Sequence, residues 1–253
     1  MTPVSTSDHG DVLVITVQRP EARNAINQEM ARMIDAALRR LDAEEQLSVG
    51  ILTGSGGVFS AGMDLKEFLN TGRPPLVDDR GFAGLTRATI RKPLIAAVDG
   101  WALGGGCELA LACDLIVASE SARFGLPEVS RGLIAAEGGI IRLPQRLPYH
   151  LAMEMILTGE PLGAQRAAQC GLVNRLVPVG ESVVTAALTL AHRIARNGPL
   201  ALAAAKQVIR TAYGEVEAFA AQDRIAATLA ESSDAAEGAR AFLERREPQW
   251  SSR

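Results

Sequence analysis

Between Leu94 and Ala118 the chain is almost wholly apolar, yet this stretch carries a glutamate. It opens with Leu94 to Val98, turns through Gly104-Gly105-Gly106-Cys107-Glu108, and continues as Leu109 to Ala112 and Leu115 to Ala118. Five consecutive apolar residues read as a strand covered on both faces, the type found in parallel sheets. The glycines then open a buried helix over Gly104 to Ala112, and Leu115 to Ala118 is the next strand. A carboxylate in such surroundings needs a partner or a purpose. A second turn, Phe124-Gly125-Leu126-Pro127-Glu128, delivers another glutamate. Held close together, the two would perturb one another's protonation, because like charges resist ionising together. Glu108 and Glu128 are therefore a candidate acid/base pair.

Around this segment, strands and helices alternate. Asp11 to Val17 reads as a strand ended by Arg19-Pro20. Asn27 caps a helix running to about Ala43, with Met30, Met33, Ile34, Ala37 and Leu41 on one face. Val49 to Thr53 is a short strand, and Gly54 to Gly57 is a turn. Asp64 to Leu69 suggests a short helix, residues 71–80 a mobile loop, and Gly81 to Arg91 a helix stopped before Pro93. After Gly138 the spacing becomes helical, through Leu151–Met155, Ala164–Ala168, Val183–Ile194, Leu200–Ile209, Val216–Leu229 and Asp234–Arg246. The pattern predicts an α/β core followed by a helical C-terminal part.

Several classes are disfavoured. The net charge of −3 comes without a basic stripe, which argues against nucleic acid as a partner. Cys107, Cys113 and Cys170 show no CxxC spacing, so neither disulfides nor a zinc site is expected, and a reducing, cytoplasmic setting fits. The N-terminal MTPVSTSDHG lacks the apolar core of a signal peptide. Asp99, Glu108 and glycines interrupt Leu94 to Cys113, which reads as buried core, not a membrane span.

The glycine run at 104–106 admits two readings. Its backbone N–H groups open a helix and could receive an anion or a developing oxyanion. It could equally be a tight strand-to-helix turn. Ser60-Ala61-Gly62-Met63-Asp64 also precedes a helix, either as a second N–H donor to the same oxygen or as a turn capped by Asp64. Gly54 to Phe59 fails as a dinucleotide fingerprint, because Phe59 replaces the third glycine. No Walker, GxSxG or HExxH motif is present. His9, His150 and His192 read as surface or capping residues, Trp101 and Phe124 as packing residues, and the cysteines as small core residues.

Taken together, RPEARNAIN (19–27), SAGMDL (60–65), PLIAAVDGWALGGGCELALACD (93–114) and FGLPEVSRGLI (124–134) resemble the enoyl-CoA hydratase/isomerase, or crotonase, superfamily. MEMILTGEPLGAQRAAQCGLVNRLVP (153–178) and DAAEGARAFLERREP (234–248) extend the resemblance. It implies a spiral of ββα units over residues 1–195. It also implies a helical oligomerisation region over 196–253, giving a homotrimer or a dimer of trimers. It implies an acyl-CoA thioester as substrate, with coenzyme A part of the substrate and no separate cofactor or metal. By the same resemblance, the oxyanion hole falls on the N–H groups of Met63 and Gly105, and the two catalytic acids on Glu108 and Glu128. The CoA site falls on Arg23, Ala25, Ala61, Asp64, Leu65 and Lys66, where cations suit a polyanionic nucleotide. Possession of both acids favours addition of water to a 2-enoyl-CoA over isomerisation or simple acyl-CoA binding.

One segment departs from the family pattern. The usual Pro-Gly-Ala-Gly-Gly loop is here Ala135-Ala136-Glu137-Gly138-Gly139. Glu137 is a third carboxylate, one residue off the register at which related isomerases carry an extra acid. The plainer expectation is an acidic residue in the first turn of the next helix.

Overall fold

The computed structural model describes residues 2–251. Its elements begin β1 (Val4–His9), β2 (Val12–Val17), α1 (Gln28–Ala43), β3 (Val49–Gly54), α2 (Leu65–Thr71), β4 (Leu94–Val98), β5 (Trp101–Leu103) and α3 (Gly105–Ala112). They continue β6 (Leu115–Ser119), β7 (Arg123–Gly125), α4 (Gly139–Arg146), α5 (Tyr149–Thr158), β8 (Leu162–Gly163), α6 (Ala164–Gln169) and β9 (Arg175–Val177). Helices α7 (Val183–Ala195), α8 (Pro199–Ala212), α9 (Glu215–Ala230) and α10 (Ser233–Glu244) complete the chain.

Strands β1-β2-β3-β4-β6-β9 form one sheet in that order, parallel except for the β1–β2 pair. Side chains alternate across it, as the pleat requires. Val49, Ile51, Ile95, Ala97 and Val117 face α7 and its Val183, Ala187 and Ala191. Leu52, Leu94, Ala96, Val98 and Ile116 face the opposite way, into the main core with Met30, Ile34 and Leu41 of α1. Both faces of β2, β3, β4 and β6 are covered, which is why these central strands are predominantly apolar.

Strands β5-β7-β8 form a second, smaller sheet. The chain passes from β4 to β5 and then into α3, and from β6 to β7, so successive units place one strand in each layer. Ser60 bridges Ala102 and Ile26 bridges Met63, both in parallel, so the segments after β3 and β2 take the equivalent place. This is the rising ββα arrangement that the resemblance implied. It also lays the turns of successive units side by side.

Asn27 caps α1 as expected, its side chain accepting the Met30 N–H at 2.9 Å. The helix expected over Gly81 to Arg91 does not form. The segment is a run of turns in which Gly81, Ala83 and Gly84 take positive φ of 74°, 54° and 66°, incompatible with a right-handed helix. The loop expected over residues 71–80 is shorter: Thr71 ends α2 and Asp78–Arg80 form a 3-10 turn, and the segment is tied to α1, since Arg80 pairs with Asp35 and Gln28 donates to the Leu76 carbonyl. Among the described residues no helix is long and apolar enough to cross a membrane.

Candidate active site

Helix α3 begins at Gly105, so Glu108 lies in its first turn, where it is only 4% exposed. Burial without donors would be costly for this carboxylate. Two amides of the 135–139 loop supply them: Glu137 N–H and Gly139 N–H donate to Glu108 Oε1 at 2.8 and 2.9 Å.

Glu128 follows Pro127 in a five-residue 3-10 turn, Pro127–Arg131, entered from β7. Among the described residues, its buried Oε2 has no hydrogen-bond partner. Its Oε1 faces the glycine turn of α3: a Cβ added at Gly104 would stand 3.0 Å from it. The structure thus brings the two glutamates of the sequence together. Burial and the charge of Glu128, with a further push from Glu137, raise Glu108 to about 8, and the two amides offset part of this. Burial raises Glu128 to about 7, with Arg131 pulling the other way. Near neutral pH the pair therefore retains a proton that two exposed glutamates would have released. That proton belongs to the pair, not to one member.

The two glycine turns dock against each other. Ser60 N–H donates to the Trp101 carbonyl, and Leu103 N–H to the Ser60 carbonyl, both at 3.0 Å. Gly62 has φ +90°, and a Cβ there would come within 2.9 Å of Gly105 N, so only glycine fits. This contact sets Met63, the next residue, beside Gly105. Gly105 is the first residue of α3 and has no carbonyl one turn back within the helix. Among the described residues, no hydrogen bond is found for the Met63 N–H either. Phe82 covers this turn, since a Cβ on Gly105 would lie 2.7 Å from its ring.

The predicted CoA residues also converge. Ala61 N–H donates to the Arg23 carbonyl at 3.0 Å, Ile26 N–H to Gly62 at 2.7 Å and Asp64 N–H to Ile26 at 2.8 Å. Arg23, Ala25, Ala61, Asp64 and Leu65 therefore share one edge beside the Gly62 turn. Arg23 and Lys66 are exposed. The Asp64 carboxylate is already committed: Oδ1 caps α2 through the Lys66 and Glu67 N–H groups, and Oδ2 pairs with Arg19. These bonds hold its carboxyl below the usual range despite its burial.

Sequence reasoning missed the residues that hold the site. Fully buried Asn24, at φ 53°, donates to the Ser55 and Val58 carbonyls and accepts the Arg19 N–H, knitting two turns together. Its tolerance of positive φ is the signal that could have marked it. Trp101, expected to pack, is 44% exposed, whereas Phe124 is fully buried. Cys107 and Cys113 are buried, as expected of small core residues, with Cys170 partly so. His9, His150 and His192 are all exposed, beside Ser7, Tyr149 and Asp11 respectively. Glu137 lies before α4 rather than in its first turn, and its side chain points away from the glutamate pair. Among the described residues, no cluster of acidic, histidine or cysteine side chains could hold a metal ion.

The sequence pattern of the enoyl-CoA hydratase/isomerase family matches residues 7–253. The chain belongs to that family. Within it, 2,3-dehydroadipyl-CoA hydratase of Escherichia coli K12 is 41% identical over 263 residues, covering all of both chains. Enoyl-CoA hydratase EchA19 of Mycobacterium tuberculosis is 41% identical over 254 residues, covering 96% of this chain and 94% of its own. The crystal structure of carnitinyl-CoA hydratase from Mycobacterium avium superposes with a TM-score of 0.94 at 43% identity, covering both chains completely.

Proposed function

We propose that this protein adds water reversibly to a 2-enoyl-CoA, giving a 3-hydroxyacyl-CoA. The observation that carries this reading is the buried pair Glu108 and Glu128 beside the docked turns of Gly62–Met63 and Gly104–Gly105. A lone carboxylate would suffice to shuttle one proton. Hydration needs one group to take a proton from water and another to give one to carbon.

In this mechanism the thioester oxygen sits against the Met63 and Gly105 N–H groups. Water loses a proton to Glu108 as its oxygen bonds to Cβ. The π electrons move toward the thioester, and the oxygen becomes enolate-like where the two N–H groups stabilise it. Each such donor is worth roughly 10²–10³ in rate. Glu128 then delivers a proton to Cα, and transfer of the proton from Glu108 to Glu128 resets the pair. Residual protonation of the pair near pH 7 supports a site with one acid and one base, the proton being shared between the two.

The nucleotide of CoA lies along Arg23, Ala25, Ala61, Leu65 and Lys66, where Arg23 and Lys66 supply charge for its phosphates. Asp64 serves this site by holding α2 in place. Coenzyme A enters as part of the substrate, and the reaction needs no further cofactor. Residues 196–253 form an association region for a trimer or a pair of trimers, and the enzyme works in the cytoplasm.

A single assay tests the reading. Incubation with crotonyl-CoA should deplete the absorbance of the conjugated thioester. Conversion of a 3-enoyl-CoA without that depletion would replace hydration by isomerisation. Binding of acyl-CoA with neither reaction would replace it by a non-catalytic role.

A further inference from the structure

Glu137 faces two ways. Its N–H donates to Glu108 Oε1 at 2.8 Å. Its carboxylate turns to the loop at 81–87: Oε2 accepts from Phe82 N–H (3.1 Å), Thr86 Oγ1 (2.6 Å) and Arg87 Nε (3.3 Å), and Oε1 from Arg87 Nη2 (3.0 Å). Arg87 carries the connection onward, forking onto Asp223 of α9 with two bonds of 2.8 Å. Its guanidinium also lies 4.7 Å from the Phe219 ring centroid of the same helix. Two donors reach the carbonyl of Ala136, just before Glu137: Arg87 Nη2 at 3.2 Å and Gln222 Nε2 of α9 at 2.5 Å. Both carboxylate oxygens of Glu137 are therefore occupied, which leaves the side chain unsuited to trade protons with a substrate.

We infer that Glu137 is a positioning residue for hydration: its carboxylate clamps the 81–87 loop and α9 onto the 135–139 turn, fixing both the amide that holds Glu108 and the Phe82 backbone whose ring walls the thioester turn. The inference rests on the hydratase reading and extends it to a residue that touches no reacting atom. It accounts for the loop that fails to be a helix. Gly81, Ala83 and Gly84 adopt positive φ around a backbone N–H that an acid outside the loop accepts. It also gives α9 a task, because a C-terminal helix then bears on the geometry of Glu108 through two bonded links.

The charges facing this network come from several elements. Glu128 faces Glu108, the Glu137 charge acts on it from the far side of the 135–139 turn, and Arg131 moderates Glu128. The Cys107 thiol on α3 is pushed up by burial and by both glutamates. Arg87 and Asp223 face Glu137, while Arg142 of α4 pairs with Glu215 of α9 and donates to the Thr86 carbonyl. The Glu137 charge itself helps hold Glu108 above its ordinary range, so removing it should let the pair release its proton at lower pH.

The test is Glu137→Gln, which keeps the side-chain size and one acceptor but loses the charge. With the enoyl-CoA that the wild type hydrates best, kcat should fall roughly 10–100-fold, the scale of a small misplacement of a catalytic group. The basic limb of its pH profile should move down by about half a pH unit. Asp223→Asn, at an exposed position, should give a smaller loss and a shift in the same direction even if Glu137→Gln folds poorly. A lower melting temperature with unchanged kcat and pH profile in both variants would overturn the inference, leaving Glu137 merely structural. Complete loss at every pH, matching Glu128→Gln, would overturn it in favour of a third catalytic acid. A wild type that hydrates no enoyl-CoA would bring down the hydratase reading and this inference together, which activity in the wild type distinguishes from failure of the clamp alone.

Discussion

At residue scale the proposed chemistry depends on two carboxylates whose burial holds them above the ordinary carboxylate range. Glu128→Gln should lower kcat about 10²–10⁴-fold while leaving CoA affinity nearly unchanged, as measured by steady-state kinetics and calorimetry. Near-normal turnover would remove Glu128 from the proton path. The same surroundings predict a stability effect. Burial raises both acids above their usual range, so between about pH 4.5 and 8 the folded protein binds more protons than the unfolded chain. Stability contributed by the pair is therefore present at low pH and lost as pH rises through that window. Glu128→Gln, which cannot ionise, should raise the melting temperature more at pH 8.5 than at pH 5, by about 2–4 °C for each kcal/mol recovered. An equal effect at both pH values would contradict the raised pKa. Both acids were legible because each follows a turn signature in an apolar stretch. The direction of Glu137 was not, since a one-residue offset in a loop fixes its backbone position but not which donors its side chain will find.

Among the elements, those with strong period or a clear cap were the readable ones. α1 shows both a stripe and Asn27, and β4 is five buried residues in a row. β1 escaped notice because VSTSDH is polar and only its first residue is buried. The sequence predicts a helix after the 135–139 loop but places its start too early: α4 begins only at Gly139. Gly81 to Arg91 reads as a helix stopped before Pro93. Tertiary donors and acceptors overrode that local preference. Asp64 gives an element-scale prediction. Its carboxylate caps α2 and pairs with Arg19, so Asp64→Ala should cost about 0.5–2 kcal/mol from the cap alone, read by chemical denaturation. It should also loosen the Arg23-side edge and weaken CoA binding. Unchanged stability would show the cap to be idle.

Across the whole molecule, the alternation of strand and helix followed by helices alone was plain from hydrophobic spacing. The assembly of two layers was not, because β5, β7 and β8 are only three, three and two residues long. Helix α8 buries none of its residues, and Leu200, Val208, Ile209 and Tyr213 are all more than half exposed. Such a face favours the proposed association of residues 196–253. Sedimentation equilibrium should give the mass of three or six chains, and Val208→Glu should lower it. A wild-type monomer at micromolar concentration would contradict that assignment. The whole-molecule account also predicts that Glu108→Ala abolishes hydration of every enoyl-CoA tested. Survival of 3-enoyl to 2-enoyl conversion in that variant would point to an isomerase working through Glu128.

The most direct measurement is a crystal structure with an acyl-CoA bound. The thioester oxygen should lie about 2.7–3.1 Å from the nitrogens of both Met63 and Gly105, with the Glu108 and Glu128 carboxylates on one side of the Cα–Cβ bond and sharing a water. A well-ordered thioester more than about 5 Å from those nitrogens, beyond hydrogen-bond reach, would contradict the mechanism.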